Sequence, residues 1–519
     1  MPVYVTLDAA RAQHSPLADL MLGKCLTIPL GSMAHCALST VYWGVLATGQ
    51  EVSTVPALDL PGTPRRSGNL IWDAEQREVL SRGASLDIPV LNVDAGAGTG
   101  KSTTVAGTID HTILLHGPGT VVIGLATNNS AVWTLGDKID ERKTAGVTKH
   151  TRLTSRTRRT DVAPSDLVQQ VIALADDLRT TATLRALGRS LRRMHAEMQG
   201  LLRSEADETL MDAQSLDRIR TLEKEIKLRR AMSVKPYLTY CKPNVITLTV
   251  DMLLLMLQVR RSPLRTYLNR AARVFVWVDE ASQVPELTMF ALGSLLPRAL
   301  HRYVGDPRQL RPFMPTMEST MDTRLYGDGV SSALIRSPHT PRLTLRECRR
   351  MHPNLLRAPS TLFYDGTLVT SLHPSERALD AKICVPNREY PIFVVITDGV
   401  EQQAATGSRS NSAQERIALD IIDRVLAPAY GERVAVISFY REPVEKLHKS
   451  RPDIKAITVD SAQGQEYEAI VILTTRSNEG ELMQFIEDER RVNVALTRAR
   501  RAIFVIGNDG VLRHALWWN

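Results

Sequence analysis

Ala95-Gly-Ala-Gly-Thr-Gly-Lys-Ser102 is the stretch on which the reading of this chain turns. Ile88-Pro-Val-Leu-Asn-Val93 runs into it and reads as a buried strand, and a helix-like stretch begins at Lys101. Consecutive small residues let backbone N–H groups wrap a phosphate. Lys101 reaches the outer phosphate oxygens, and Ser102 offers a hydroxyl to Mg²⁺. The strict phosphate-loop pattern has glycine where this chain has Ala95, so the match is missed by one methyl group. The competing reading is a glycine turn that happens to precede Lys-Ser. The strand–loop–helix context favours the cradle, which makes Gly96, Gly98, Thr99, Gly100, Lys101, Ser102 and Thr103 the candidate nucleotide-binding residues.

The second half of such a site is an acid at the end of a buried strand. Asp279-Glu280 follows Val274-Phe-Val-Trp-Val278 directly. Asp279 is expected to hold Mg²⁺ through water, together with Ser102, and Glu280 to orient and deprotonate the attacking water. A lone Asp-Glu pair is most often a solvated turn. It becomes informative after an apolar run in a chain that already carries a phosphate loop. ATP and Mg²⁺ are therefore the expected ligands.

Outward from this core, Leu70-Ile-Trp-Asp-Ala-Glu-Gln-Arg-Glu-Val-Leu80 has a capping Asp73 with Gln76 three residues later, and predicts a short helix. Val121-Val-Ile-Gly-Leu-Ala126 predicts another buried strand. A second group of apolar strands is expected at 391–396, 433–437, 469–473 and 502–506. Helical stretches between them indicate parallel sheets covered on both faces. Residues from about 140 to 238 differ in character. Arg142, Lys143, Lys149, Arg152, Arg156, Arg158 and Arg159 form a basic run, and Asp166 to Arg230 has leucines at helical spacing. This region reads as a helical insertion in the first α/β half. Residues 1–66 carry no legible motif, and Pro61 to Gly68 reads as a linker.

Composition sets outer bounds. At 519 residues and 43% hydrophobic, the chain suits a packed, multi-core protein and not a disordered one. A net charge of +8 favours polyanionic partners without specifying a fold. Aromatic residues are 5%, too few for a protein built mainly on stacking platforms. Cys25, Cys36, Cys241, Cys348 and Cys384 lack zinc-ligand spacing and fit a reducing compartment, cytoplasm or nucleus. No signal peptide is expected. Cys25 to Gln50 holds no Asp, Glu, Lys or Arg, but Pro29, Gly31, His35 and Gly44 lower its hydrophobicity, so buried strands are favoured over a membrane segment.

At Asp279-Glu-Ala-Ser-Gln283 the chain resembles the superfamily 1B helicases of the Upf-like group, which includes the nonsense-mediated-decay helicase and senataxin. The resemblance runs in order from about Leu70 to Asn508. Gln76 fits the adenine-reading Q motif, and Ala126-Thr-Asn-Asn-Ser-Ala-Val132 resembles motif Ia. Thr247-Leu-Thr249 sits where the family has a nucleic-acid-contacting strand end. Gly305-Asp-Pro-Arg-Gln-Leu310 matches motif III. Arg350-Met-His-Pro353, with Phe363-Tyr-Asp-Gly366 after it, matches motif IV and the segment beyond. Thr458-Val-Asp-Ser-Ala-Gln-Gly-Gln-Glu466 and Asn493-Val-Ala-Leu-Thr-Arg-Ala-Arg500 match motifs V and VI.

The resemblance implies two RecA-like domains with parallel sheets, residues 67–340 with the insertion and 341–519, after the 1–66 region. It implies that Gln309 senses the γ-phosphate, that Arg350 and Arg498 act as arginine fingers, and that Gly464 and Glu466 join the nucleotide site. It further implies that Thr127, Asn129, Thr247, Thr249 and Thr458 contact single-stranded RNA or DNA through its backbone. The family usually has Gln-Tyr before Arg-Met-His, whereas this chain has Cys348 and Arg349, so Arg349 is the candidate to stack on the base. The expected activity is ATP-dependent 5′–3′ helicase or translocase action by a monomer. The alternatives are a remodelling ATPase that does not separate strands, and a silent nucleic-acid-binding adaptor. The basic run reads either as electrostatic grip on a duplex or as a solvated loop. Protein partners are expected, if anywhere, at residues 1–66 or at the insertion.

Overall fold

The computed structural model describes residues 32–33, 38, 66–67, 70–154, 163–204, 213–259, 261–312, 329–337, 340–404, 407–478, 485–515 and 517–518. Most of the 1–66 region, including most of the charge-poor stretch, lies outside the described residues, as do Arg156, Arg158 and Arg159. The chain divides into two compact units. The first comprises Met1–Val93, Lys101–Gly305 and Pro312–Leu343, and the second Asp94–Gly100, Asp306–Arg311 and Thr344–Asn519. Two short segments, 94–100 and 306–311, thus group with the second unit although they fall within the sequence range read as the first domain.

In the first unit a short antiparallel pair, Arg66–Ser67 with Leu70–Ile71, precedes helix α1 (Ala74–Ala84). Asp73 accepts from the Gln76 amide at 2.7 Å, and the Gln76 side chain accepts from the Asp73 amide at 3.3 Å. This reciprocal cap satisfies two orphan donors of the first turn. Seven strands follow: β1 (Val90–Ala95), β2 (Thr120–Ala126), β3 (His150–Arg152), β4 (Val245–Thr249), β5 (Arg273–Val278), β6 (Leu300–Gly305) and β7 (Arg342–Leu345). Their order in the sheet is β3-β4-β2-β5-β6-β1-β7. Strands β3, β4, β2, β5 and β6 pair in parallel. Every residue of β2 is buried, as a sheet covered on both faces demands.

Three of these strands, β3, β6 and β7, were not predicted from the sequence, and β4 was expected only as the strand end that the resemblance implies. β6 is disguised by His301 and Arg302, both buried. The Arg302 guanidinium donates to the carbonyls of Gly83, Ser85 and Ile88, at and just beyond the C-terminus of α1, and lies 5.5 Å from the Phe275 ring centroid. Oriented carbonyls, not a carboxylate, take up this charge.

Helix α2 (Lys101–His116) follows the phosphate loop, and α3 (Asn129–Arg142) follows β2. A β-carbon on Gly107 of α2 would come within 2.4 Å of the Trp72 ring, so only glycine allows this close packing. The insertion forms α4 (Leu167–Ala173), α5 (Ala182–Ser204) and α6 (Ala213–Cys241). Leu184, Leu187, Leu191, Met194 and Met198 on α5 share a core with Leu222 and Ile226 on α6. That is the amphipathic hairpin predicted from leucine spacing. Helices α7 (Val250–Gln258) and α8 (Pro263–Arg270) lead into β5.

Three residues of the basic run are engaged within the protein. Arg152 is fully buried, paired with Asp137 at 2.8 Å and Asp140 at 2.6 Å, and stacked over Trp133. Arg142 pairs with Glu141, and Lys143 with Asp140. Acids on α3 absorb these charges, which the run's own composition does not disclose.

The second unit holds β8 (Ile392–Ile396), β9 (Val434–Ser438), β10 (Ala456–Thr458), β11 (Tyr467–Leu473) and β12 (Ala499–Gly507), in the order β8-β12-β11-β9-β10 and all parallel. β9 is buried throughout, and β11 and β12 nearly so. β8 was expected to be buried, but it lies at the edge of the sheet and leaves Val394 and Ile396 exposed. Helix α9 (Pro353–Phe363) lies between Arg350 and Tyr364, and α10 (Glu489–Leu496) carries Asn493. No helix among the described residues is long and apolar enough to cross a membrane.

Candidate nucleotide site and nucleic-acid edge

In the first unit, parallel strands β2, β4 and β5 end at one edge of the sheet. β5 delivers Asp279 and Glu280 there, both buried. The Asp279 amide donates to the Leu125 carbonyl of β2 at 2.8 Å, which fixes the turn. Glu280 takes the left-handed conformation, with φ of 52°. A non-glycine residue held there costs conformational energy, and such strain concentrates at functional sites.

Ser102, in the first turn of α2, donates its hydroxyl to Asp279 Oδ2 at 2.7 Å. Burial raises the pKa of the Asp279 carboxyl and the Glu280 charge raises it further, while Ser102 and Lys101 act in the opposite direction. The pair offers only hard oxygen donors. Mg²⁺ favours that chemistry, and it is commonly held by one or two carboxylates plus phosphate oxygens. Among the described residues no group of three or more His, Cys, Asp and Glu is placed to hold a metal unaided. Ser102 and Asp279 therefore fit a metal that is shared with a phosphate ligand.

Gln76 is buried, and its side chain is engaged in the α1 cap. Thr127 lies just beyond β2 and donates to Gln283 Oε1 at 2.9 Å. Thr249 ends β4 beside Ala126 and caps α7 by accepting from the Met252 amide. Asn129 opens α3, and its neighbour Asn128 makes the cap. Thr247 differs from these. It is fully buried, and its hydroxyl bonds to His150 Nε2 at 2.9 Å, with His150 Nδ1 on Asp140 at 3.0 Å. An inward, occupied hydroxyl does not reach a backbone phosphate. The period of two along β4 puts Thr247 and Thr249 on one face, but only Thr249 stands at the edge of the sheet.

Within the second unit, Thr99 closes the phosphate loop on itself by donating to the Gly96 carbonyl at 2.9 Å. Gly98 and Gly100 have φ of +73° and +81°. The Gly98 carbonyl accepts from the Arg349 amide at 3.0 Å. A β-carbon on Gly98 would come within 2.7 Å of Cys348 Sγ, so the thiol fills the space beside the loop. The Arg349 guanidinium lies 3.5 Å from Glu347.

The second unit also holds a connected polar network. Arg498 Nη2 approaches Gln309 Oε1 at 3.5 Å. Gln309 Nε2 donates to Asp306 Oδ2 at 2.8 Å, and the Tyr364 hydroxyl donates to the same oxygen at 2.7 Å. Asn493 on α10 donates to the Tyr364 oxygen and to the Arg308 carbonyl. Burial, and then the Asp306 charge, hold the Tyr364 hydroxyl well above its ordinary pKa, so it stays a donor. Arg350 donates to Glu466 Oε2 at 2.8 Å and to the Thr497 carbonyl at 2.9 Å, while Arg500 takes the other Glu466 oxygen. Burial opposes ionisation of Glu466, but the two arginines outweigh it and hold the carboxyl at about 2. Gly464 is left-handed, with φ of +77°, and Thr458 caps the turn after β10.

Asp306, Tyr364, Asn493 and Arg500 were not singled out as site residues, although each falls inside a motif quoted above. A buried tyrosine or asparagine gives no sequence signal that separates it from ordinary core. Only the mutual hydrogen bonds do.

Two family models, each described as an AAA domain, match residues 76–315 and 326–510. The chain is 26% identical to a Neurospora crassa protein named Regulator of nonsense transcripts 1 homolog, over 90% of this chain and 40% of that one. It is 32% identical to Regulator of nonsense transcripts 1 of Dictyostelium discoideum, over 47% of this chain and 19% of that one. It is 30% identical to Helicase SEN1 of Saccharomyces cerevisiae, over 47% of this chain and 11% of that one. The chain thus spans less than half the length of each of these relatives. The ordered motifs, the two parallel-sheet units and these similarities agree: the chain belongs to the Upf-like group of superfamily 1B helicases.

Proposed function

We propose that this chain is an ATP-dependent nucleic-acid helicase or translocase that hydrolyses ATP at the interface of its two RecA-like domains. The observation that carries this is the 2.7 Å hydrogen bond from Ser102 to Asp279, which joins the two halves of a phosphate-and-metal site separated by 177 residues in sequence. Phosphoryl transfer to water needs positioning and charge neutralisation more than covalent help. Lys101 supplies charge at the outer phosphates. Ser102 and Asp279 would hold a Mg²⁺ ion, which would supply charge neutralisation at the phosphates. Glu280 orients the attacking water and takes its proton. Gln309 reports on the γ-phosphate, and Arg350 and Arg498 deliver guanidinium charge from the second domain. Glu466 acts as a positioning residue, because its grip aims the Arg350 fork.

Thr127, Asn129, Thr249 and Thr458 are the residues proposed to meet the sugar–phosphate backbone of single-stranded RNA or DNA. Travel in the 5′–3′ direction is taken from the family. The test is ATP turnover with and without RNA or DNA homopolymers, next to strand displacement on tailed duplexes of both polarities. Stimulated turnover in the wild type, abolished in Lys101→Ala and Glu280→Gln, is the expected result. Unchanged turnover in both variants would falsify the site, and turnover without displacement would reassign the chain to protein–nucleic-acid remodelling.

A further inference from the structure

A cavity of about 1190 Å³ opens in the first unit at the N-terminal ends of β2, β4 and β5. This is the edge of the sheet opposite to Asp279, Thr127 and Thr249. Its lining brings together Lys149, Lys235, Lys242, Arg261 and Arg270, and contains no aspartate or glutamate. These five come from separate places: the loop before β3, the end of α6 and the turn beyond it, and the two ends of α8. Among the described residues none of the five has an ion-pair partner, whereas Arg142, Lys143 and Arg152 nearby in sequence are all paired. Like charges gathered in one concavity repel each other and focus a positive field into it, an arrangement that favours a polyanion.

Size and chemistry narrow the occupant. Small-molecule pockets usually measure about 300–1,000 Å³, so this one has room for an extended ligand. Tyr267, Pro118 and Pro263 add apolar wall between the cations, and the Tyr267 hydroxyl is fixed on the Pro243 carbonyl at 2.6 Å. Cations beside apolar and aromatic wall suit a strand whose phosphates alternate with sugars and bases. Three of the five cations are lysines, mobile point charges fit for phosphate contacts that ignore sequence. We propose that this cavity is a second nucleic-acid site, which holds the phosphodiester backbone of a segment of the bound polymer away from the motor edge. The proposal rests on the reading of the partner as nucleic acid.

The test uses the full chain and fluorescence anisotropy with labelled mixed-sequence oligonucleotides of about 10 and about 40 nucleotides. The variants are Lys235→Glu/Lys242→Glu/Arg270→Glu and the corresponding triple glutamine. Losing about three phosphate contacts makes the salt dependence of long-oligonucleotide binding shallower by about 2 to 3 in log–log slope, and lowers affinity about 10-fold or more. Binding of the short oligonucleotide and basal ATP turnover stay unchanged. The glutamine variant is read if the glutamate variant fails to fold, and photocross-linking of wild-type chain to a 4-thiouridine-labelled long RNA gives an independent reading. Cross-links in peptides containing Lys242 or Tyr267 support the site. Equal affinity and equal slope in wild type and variants, or displacement of the long oligonucleotide by polyglutamate at matched charge, overturn it. A wild type that binds neither oligonucleotide refutes the proposed function itself.

Discussion

Gln309 and Arg498, 189 residues apart in sequence, meet with the glutamine oxygen 3.5 Å from a guanidinium nitrogen. Arg498 also donates to Val494 O, Gln465 O and Thr497 Oγ1, so its fork is held in place before any ligand is considered. Arg498→Lys keeps the charge and loses the fork. Its kcat for stimulated ATP hydrolysis is expected to fall by about 10³-fold, the scale of an arginine finger, with a much smaller change in nucleotide affinity. Steady-state kinetics and nucleotide titration check this, and a wild-type kcat would remove Arg498 from the chemistry.

Two left-handed glycines should respond differently to alanine. Gly98 has φ of +73° and would place its new carbon 2.7 Å from Cys348 Sγ and 2.8 Å from Arg350 Cβ. Gly464 has φ of +77° but open space around it. Gly464→Ala meets only the backbone penalty, about 1–2 kcal/mol. Gly98→Ala adds the clash and displaces the phosphate loop, so nucleotide affinity drops further than in Gly464→Ala. Equal effects in a fluorescent-nucleotide titration would show that loop packing is irrelevant.

The base of the helical insertion depends on a buried ion pair. Asp140 accepts from Arg152 at 2.6 Å, and also engages His150, Lys143 and Ser165. Burial raises its pKa, but these partners outweigh burial and keep it ionised. Asp140→Ala leaves Arg152 buried with only Asp137, which is more than half exposed, as its acid. A loss of about 3 kcal/mol in urea unfolding is expected, the usual result of breaking a buried pair from one side. A loss below about 1 kcal/mol would mean that Asp137 or water compensates fully.

Acid should weaken the first unit through His301. Burial, and then the Arg302 charge, lower its pKa from 6.5 to about 4. The unfolded chain binds a proton there that the folded one refuses. Stability from this residue is therefore complete above pH 6.5 and is lost as pH falls toward about 4. The total is roughly 3 kcal/mol. Thermal unfolding of wild type and His301→Gln across that range checks it, because the variant should lose this part of the pH dependence.

What was legible in the sequence is local or repeated. The Asp73–Gln76 cap, the strand leading into the phosphate loop, the apolar run before Asp279 and the leucine spacing of α5 each lie within one element, where backbone geometry and side-chain periodicity dictate the outcome. The family motifs extend this to order along the chain. What needed the tertiary structure is where charges and hydroxyls end up. Arg152 and Arg302 look like surface cations in sequence, yet one is neutralised by acids on α3 and the other by carbonyls near the end of α1. Thr247 and Thr249 look equivalent, yet only one stands at the edge of the sheet. Ser102 meets Asp279, and five scattered cations converge on one cavity, because parallel strands carry distant residues to common edges. Desolvation and electrostatics depend on those spatial neighbours, and neighbours across a sheet are not encoded by spacing along the chain.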